Sequence, residues 1–497
     1  MPPFSFYGIK NRRSAIMEKT MKISENLQKN VRALKAALNS DDVKFKEIKV
    51  GDKRGVLVFS TDLTDKAALG SLVMRPAAEI KGEVNEQTLS ETFFSPETET
   101  STEIKKTAEK IVGGESALIV EGVKTAFLFG LKKFDKRAIA EPPTSTVIKG
   151  PREGFVENLA VNVSLMRRKL SSTDLRFKYL SVGQFSATKV AVCYIEGIAD
   201  KGLIATLVKK ISEIKIDALL DSSYVSKFLG EHKASLFKQI GNTEKPDILA
   251  AKILEGRVAV LVDGSPIALT VPYLLIEDFQ SPSDYYNSSY SATLARIIRF
   301  FAVFISIYLP AFYVSAQLFH LQFIPLSFLL TIVNSIKGIP LSPSFEMFFT
   351  LLIFEILNEA SVRMPKYVGM VVSIVGGLVL GETAVNAGII SAPALMIIAL
   401  SGICLYTVPE LEQTFSVLRF TFLIIGGSFG AFGLIVASCV LLIYLVSFEN
   451  YRTPLLAPFS PLITKDLKDG VYKGFMIEQS IRPLSLKNAN KRRIKND

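Results

Sequence analysis

The chain has 497 residues, 49% of them hydrophobic, a formal net charge of +11, three Cys, two His and no Trp. The scattered Cys193, Cys404 and Cys439 lack CxxC spacing, and His232 and His320 stand alone, which argues against a disulfide framework, a zinc site and histidine-based catalysis. No GxxxxGK[ST] or GxGxxG loop is present to cradle a phosphate.

Mean hydropathy is +0.32, and the apolar runs lie between Ile297 and Phe448. The expected fold is therefore an α+β cytoplasmic half, then an α-helical polytopic membrane domain and a basic tail. The start, MPPFSFYGIKNRR, has no apolar signal core, so residues 1–24 are expected to be a flexible basic N-terminus on the cytoplasmic side.

An internal repeat follows. Asn26–Leu69 and Asn158–Ile204 each give a helix, a Ser-x-Asp turn, a strand ending in Val-Gly, a second strand and Asp-Lys before another helix. Lys110–Ala126 aligns with Lys252–Ala268, where β-rich runs flank Glu121-Gly122 in one copy and Asp263-Gly264 in the other, which is hairpin chemistry. Two related α/β modules are expected, at residues 25–140 and 150–280, divided by the proline-rich stretch from Glu141 to Pro151. The segment from Lys81 to Thr107 reads as a loop with short helices.

Residues 292–448 form the expected transmembrane domain. Arg296 and Arg299 mark the cytoplasmic end of the first span, Phe300–Phe319, in which Pro310 should kink or break the helix. The run Leu321–Ile336 is short and reads as a half-helix, whose backbone needs cover from protein or water. Ala392–Val408 is another span. Phe415–Phe448 exceeds one crossing and carries Gly426, Gly427, Gly430 and Gly433 at its middle, so it reads either as a tilted helix or as a tight hairpin. Residues 449–497 are expected as a cytoplasmic tail, solvated or drawn to anionic lipid by its basic end, and four to six crossings fit both termini inside.

Candidate site residues lie between Phe345 and Ser391. Helical spacing puts Val375, Val379, Glu382 and Asn386 on one stripe and Gly377, Gly381, Ala384 and Gly388 opposite. The small face suits close helix packing in lipid. The polar stripe lines a pore, or Glu382 sits near a helix end in the headgroup region or pairs with a neighbour, since an ionisable group facing hydrocarbon is costly. Upstream, Glu355, Glu359 and Arg363 form an amphipathic stripe, read either as a solvated i,i+4 ion pair or as an acidic channel mouth. No catalytic, metal or cofactor constellation is visible.

Five stretches resemble the GerA-type spore germination receptor family, A subunit: Gly150–Arg168, Glu255–Tyr286, Glu355–Pro365 (EILNEASVRMP), Val372–Ala387 (VSIVGGLVLGETAVNA) and Leu455–Lys468. The resemblance implies a multi-pass protein of the endospore inner membrane. It also implies a ring of copies of itself, joined by a transporter-like B subunit and a lipoprotein C subunit, in contact with membrane lipid and not with nucleic acid. The membrane part would be an ion channel opened when nutrient binds the B subunit; the alternatives are a non-conducting scaffold and the sporulation paralogue of the A subunit. Relatives often carry Gln at the position of Glu382 and Glu at that of Asn386, so the charge in this chain sits a turn earlier.

Overall fold

The structure, a computed structural model, describes residues 21–93, 97–132, 149–364, 381–475 and 479–493. Two compact units emerge. The first gathers the chain up to Lys233, then Gln239–Pro272 and the end from Ser480; the second holds Ala234–Lys238 and Tyr273–Gln479.

The first unit is built twice from the same plan. In the first copy, α1 (Leu27–Ala37) leads to β1 (Val43–Val50) and β2 (Lys53–Ser60), then α2 (Lys66–Leu69), α3 (Arg75–Glu79) and α4 (Glu86–Thr92). β3 (Thr98–Ser101), α5 (Ile104–Val112), β4 (Ser116–Val120) and β5 (Ala126–Phe129) complete it, in sheet order β1-β2-β4-β5-β3. The second copy repeats this with α6 (Leu159–Lys169), β6 (Leu175–Val182), β7 (Thr188–Ile195), α7 (Lys201–Ser212) and α8 (Ser222–Leu229). β8 (Gly241–Thr243), α9 (Pro246–Leu254), β9 (Val258–Val262) and β10 (Ala268–Val271) finish a sheet of order β6-β7-β9-β10-β8.

All neighbouring strands are antiparallel. The central β4 and β9 are buried along their whole length, which is why they carry the apolar runs ALIV and VAVLV rather than alternating patterns. The fifth strands, β3 (TETS) and β8 (GNT), are too short and polar to stand out by pattern, and β3 lies in the stretch expected as loop.

The repeat extends to single hydrogen bonds. Asn26 and Asn158 cap α1 and α6 by accepting from Lys29 N and Ala160 N. Buried Asn30 and Asn162 pin the incoming chain, each giving a 2.6 Å bond to a carbonyl, of Ser24 and Val156. Gly122 and Gly264, at φ +80 and +87, make the acid-Gly hairpins and donate to Glu25 O and Glu157 O.

One joint between the copies is a buried ion pair. Arg167, near the end of α6, meets Asp42 of the first copy through Nε at 2.9 Å and Nη2 at 2.8 Å, with side chains 1% and 0% exposed. Arg167 also donates to Ser40 Oγ and Ser172 O and lies 4.9 Å from the Phe177 ring. The outer edge of β6 is capped by the turn of the first copy: Ser40 Oγ accepts from Phe177 N, Asp41 N donates to Phe177 O, and Asp41 Oδ2 accepts from Tyr179 N. Tyr179 OH donates to Asp62, whose carboxyl burial pushes up despite that bond. Cys193 lies fully buried in the second copy's core, and burial raises its thiol far out of the reactive range.

The basic end, expected to be solvated or drawn to lipid, folds into this unit. Arg482 donates to Leu254 O at 2.7 Å, Ala489 N to Ile198 O at 3.0 Å, and Leu486 is 3% exposed.

The second unit is helical: α10 (Ser283–Tyr286), α11 (Ser289–Phe319), α12 (Leu326–Ile336), α13 (Pro343–Arg363), α14 (Gly381–Asn386), α15 (Ala392–Leu405) and α16 (Glu412–Ser447). The helices over Ser289–Phe319 and Pro409–Ser447 are long and apolar enough to cross a membrane. Pro310, expected to kink or break the helix, lies buried within α11 and does not break it: the helix is assigned without interruption from Ser289 to Phe319.

Of the two readings of Phe415–Phe448, the structure selects the hairpin. Gly430 (φ 64, ψ −152) breaks α16, a backbone state open essentially to Gly alone. The halves then run back along each other. A Cβ on Gly433 would stand 3.3 Å from Ile425 O, whereas eight residues of straight helix span about 12 Å. Tyr308 touches both halves, meeting Phe422 edge-on at 4.9 Å between ring centres and bonding Ser438 at 2.8 Å.

Arg296 and Arg299 are engaged by protein rather than left for headgroups. Buried Arg296 donates to Asp284, Asp469 and Gly470 O, and Arg299 to Asp284 and Phe279 O. Burial pushes the Asp284 carboxyl up, but the bonds and charges of Arg299 and Arg296 outweigh it and hold it below the ordinary carboxylate range. Asp469 is remote in sequence, so the positive-inside pattern alone did not reveal this network.

Candidate functional site

α13 carries a ladder of polar groups along an otherwise apolar helix. At its start, Glu346 is 2% exposed and accepts a 2.6 Å bond from Ser391 N, beside the first turn of α15, where a carboxylate also meets the positive end of the helix dipole. Further along, Glu355 pairs with Arg419 of α16 and accepts from Ser416 Oγ at 2.6 Å. Arg419 is completely buried and also donates to Ser401 Oγ of α15, which in turn donates to Ser306 O of α11. The guanidinium of α16 therefore meets α13 and α15 directly and α11 through Ser401. One turn beyond Glu355, Asn358 donates to Glu412 at 2.8 Å. At the end of the helix Glu359 and Arg363 pair at 2.5 Å with side chains 63% and 77% exposed.

The stripe expected to line a pore lies partly outside the described residues: Val375, Val379 and Gly377 are among those not described. Glu382 and Asn386, on α14, are exposed, and among the described residues neither has a hydrogen-bond or ion-pair partner. On the opposite side Gly381 approaches α15 closely, since a Cβ there would stand 3.2 Å from Leu395, and Ala384 packs into the same apolar cluster. Gly388 does other work: at φ +66, with open space around its missing Cβ, it ends the helix while Ile389 N returns to Ala384 O.

The arrangement separates two kinds of polar group in a helical unit. Glu346 is met by Ser391 N, Asn358 by Glu412, and Glu355 and Arg419 by each other, whereas Glu382 and Asn386 are exposed and have no such partner among the described residues. Sequence reasoning passed over Glu346, Ser401 and Arg419. The signal for Arg419 was available, as a charge inside the apolar run from Phe415; its partner was not, because Glu355 lies on a different helix.

The model of the GerA family, Bacillus/Clostridium GerA spore germination protein, matches residues 30–485. The chain belongs to the GerA spore germination protein family. Among its GerA relatives, the chain is 31% identical to Spore germination protein KA of Bacillus subtilis over 95% of this chain and 89% of that protein. It is 32% identical to a Bacillus subtilis protein named as the uncharacterized membrane protein YfkQ, over 90% of this chain and 88% of the other. A crystal structure of the N-terminal domain of the A subunit of the Bacillus megaterium spore germinant receptor GerK3 aligns with a TM-score of 0.40 at 24% identity, covering 52% of this chain and 98% of that one.

Proposed function

We propose that this GerA protein is the A subunit of a nutrient-sensing germination receptor and that copies of it form a ligand-gated ion channel in the inner membrane of the endospore. A transporter-like B subunit and a lipoprotein C subunit are the expected partners, and no enzymatic step is assigned to the chain. The observation that supports the reading is the exposed pair Glu382 and Asn386, without a hydrogen-bond or ion-pair partner among the described residues, in a unit where Glu346, Glu355 and Arg419 are met by other protein groups. A carboxylate against hydrocarbon costs several kcal/mol, at the least about 2.5. Water enclosed by neighbouring copies removes that cost and gives an ion a polar path.

In this reading Val375 and Val379 form the narrow apolar constriction of the same stripe, Glu382 and Asn386 line its wider polar part, and the exposed Glu359 and Arg363 lie toward the mouth, while Glu355 is held inward by Arg419. Nutrient opens the path by binding its partner better when the ring is open, since only differential affinity shifts such an equilibrium. The test is ion release from spores, with and without nutrient. Val379→Ala is expected to raise release without nutrient, and Glu382→Gln to change the rate of cation release after nutrient. If both variants germinate and release ions as the parent does, the pore assignment is wrong.

A further inference from the structure

The joint inside the first unit is directional. The turn of the first copy (Ser40, Asp41, Asp42) caps the edge of the second (Arg167, Phe177, Tyr179), and among the described residues the reverse contact, from the turn of the second copy to the edge of the first, is absent. Among the described residues, one turn and one edge are therefore left without the counterpart of this contact.

The unused edge is β1, an outer strand of its sheet. Phe45 pairs with Val58 as Phe177 pairs with Cys193, so the two registers coincide and the Phe45 backbone groups point outward as those of Phe177 do. Lys35 occupies the place of Arg167 and lies 5.4 Å from the Phe45 ring, as Arg167 lies 4.9 Å from that of Phe177. The unused turn is Ser172-Thr173-Asp174, with Asp174 exposed where its counterpart Asp42 is buried against Arg167. The lysines Lys35, Lys44 and Lys46 around β1 are exposed. Lysines on an edge deter another strand from pairing there, but they complement a short turn that brings an aspartate.

We propose that β1 binds the Ser172–Asp174 turn of a second copy of this chain, repeating between molecules the joint that Asp42 and Arg167 make within one. Lys35 takes the part of Arg167 and Asp174 that of Asp42, while Thr173 meets the β1 edge at Glu47, as Asp41 does at Tyr179. Such a contact is heterologous, so each copy offers one turn and one edge and the assembly continues past a dimer into a ring or a filament. This deepens the self-association in the proposed function and rests on it only there.

The test uses the full chain in lipid, with exposed Cys439 changed to Ser; Cys193 and Cys404 are buried. Thr173→Cys and Glu47→Cys placed in one chain should give, on mild oxidation, covalent products larger than a dimer. Each variant alone should give none, and a mixture of the two should give dimers containing one of each. Lys35→Glu should lower the yield about tenfold through like-charge repulsion with Asp174, and adding Asp174→Lys should restore it. Absence of covalent product from the double variant, or dimers from a single variant, overturns the inference. If such a protein still releases ions on nutrient, the interface alone has failed and the channel reading stands.

Discussion

Breaking the Arg167–Asp42 pair gives the sharpest test of how the two copies are held. Both side chains are out of water, at 1% and 0% exposure, and the pairing is bidentate at 2.8 and 2.9 Å. Removing one partner strands the other charge in a dry joint, which costs about 3–5 kcal/mol. For a unit of this size, about 2–4 °C is lost per kcal/mol, so Asp42→Ala or Arg167→Ala should lower the unfolding temperature by roughly 6–20 °C. Replacing both by apolar residues of similar volume, Asp42→Leu with Arg167→Met, removes the stranded charge; Ser40 Oγ and Ser172 O each lose bonds to the pair, at about 1 kcal/mol each, but keep Phe177 N and Leu175 N as donors. The double variant should therefore lose less than the sum of the singles. The assay is thermal unfolding of the solubilised full chain followed by near-ultraviolet dichroism of its tyrosines. Singles costing under about 1 kcal/mol, or losses that add within about 0.5 kcal/mol, would refute the buried-pair argument.

Other variants probe the second unit. Glu355→Ala leaves Arg419 buried without its carboxylate and should cost about 3–5 kcal/mol, read as heat stability in detergent, with part of the loss recovered by adding Arg419→Met. Gly430→Ala forces a side chain into a glycine-only backbone state and onto the Phe319 ring, 3.0 Å from the new Cβ, at about 1–3 kcal/mol in the same measurement. Burial raises the Asp278 carboxyl, even though Lys238 and Tyr273 favour its charge, so the folded state holds its proton to a higher pH than the unfolded chain does. The stability it contributes is complete below the ordinary carboxylate pKa and is lost as pH rises through the raised value. Unfolding temperature against pH should show that decline, and Asp278→Asn should flatten it.

Much of the fold was legible because the duplication writes each element twice. Asn26 with Asn158, and Gly122 with Gly264, announce the same caps and hairpins at matching places. What the sequence concealed were contacts between remote segments. The basic end looked like a solvated tail because Arg482 meets its carbonyl acceptor, Leu254 O, far back in the chain. Arg296 looked like a topology marker because Asp469 was invisible as its partner. In the site, Glu382 and Asn386 stood out as polar groups in an apolar run. Arg419 satisfied the same criterion, and only the crossing of α13 with α16 distinguishes it as an internally matched charge.

The reversal at Gly430 has a consequence for how the chain is threaded. A straight helix of the length of α16 would run about 54 Å, far beyond a hydrocarbon layer of about 30 Å, whereas each half runs about 27 Å. Placed in a lipid layer, a segment folded this way returns to the leaflet it entered from. Reporters placed just before Glu412 and just after Ser447 should consequently sense the same compartment, and every count of passes through the lipid inherits its parity from the helices upstream.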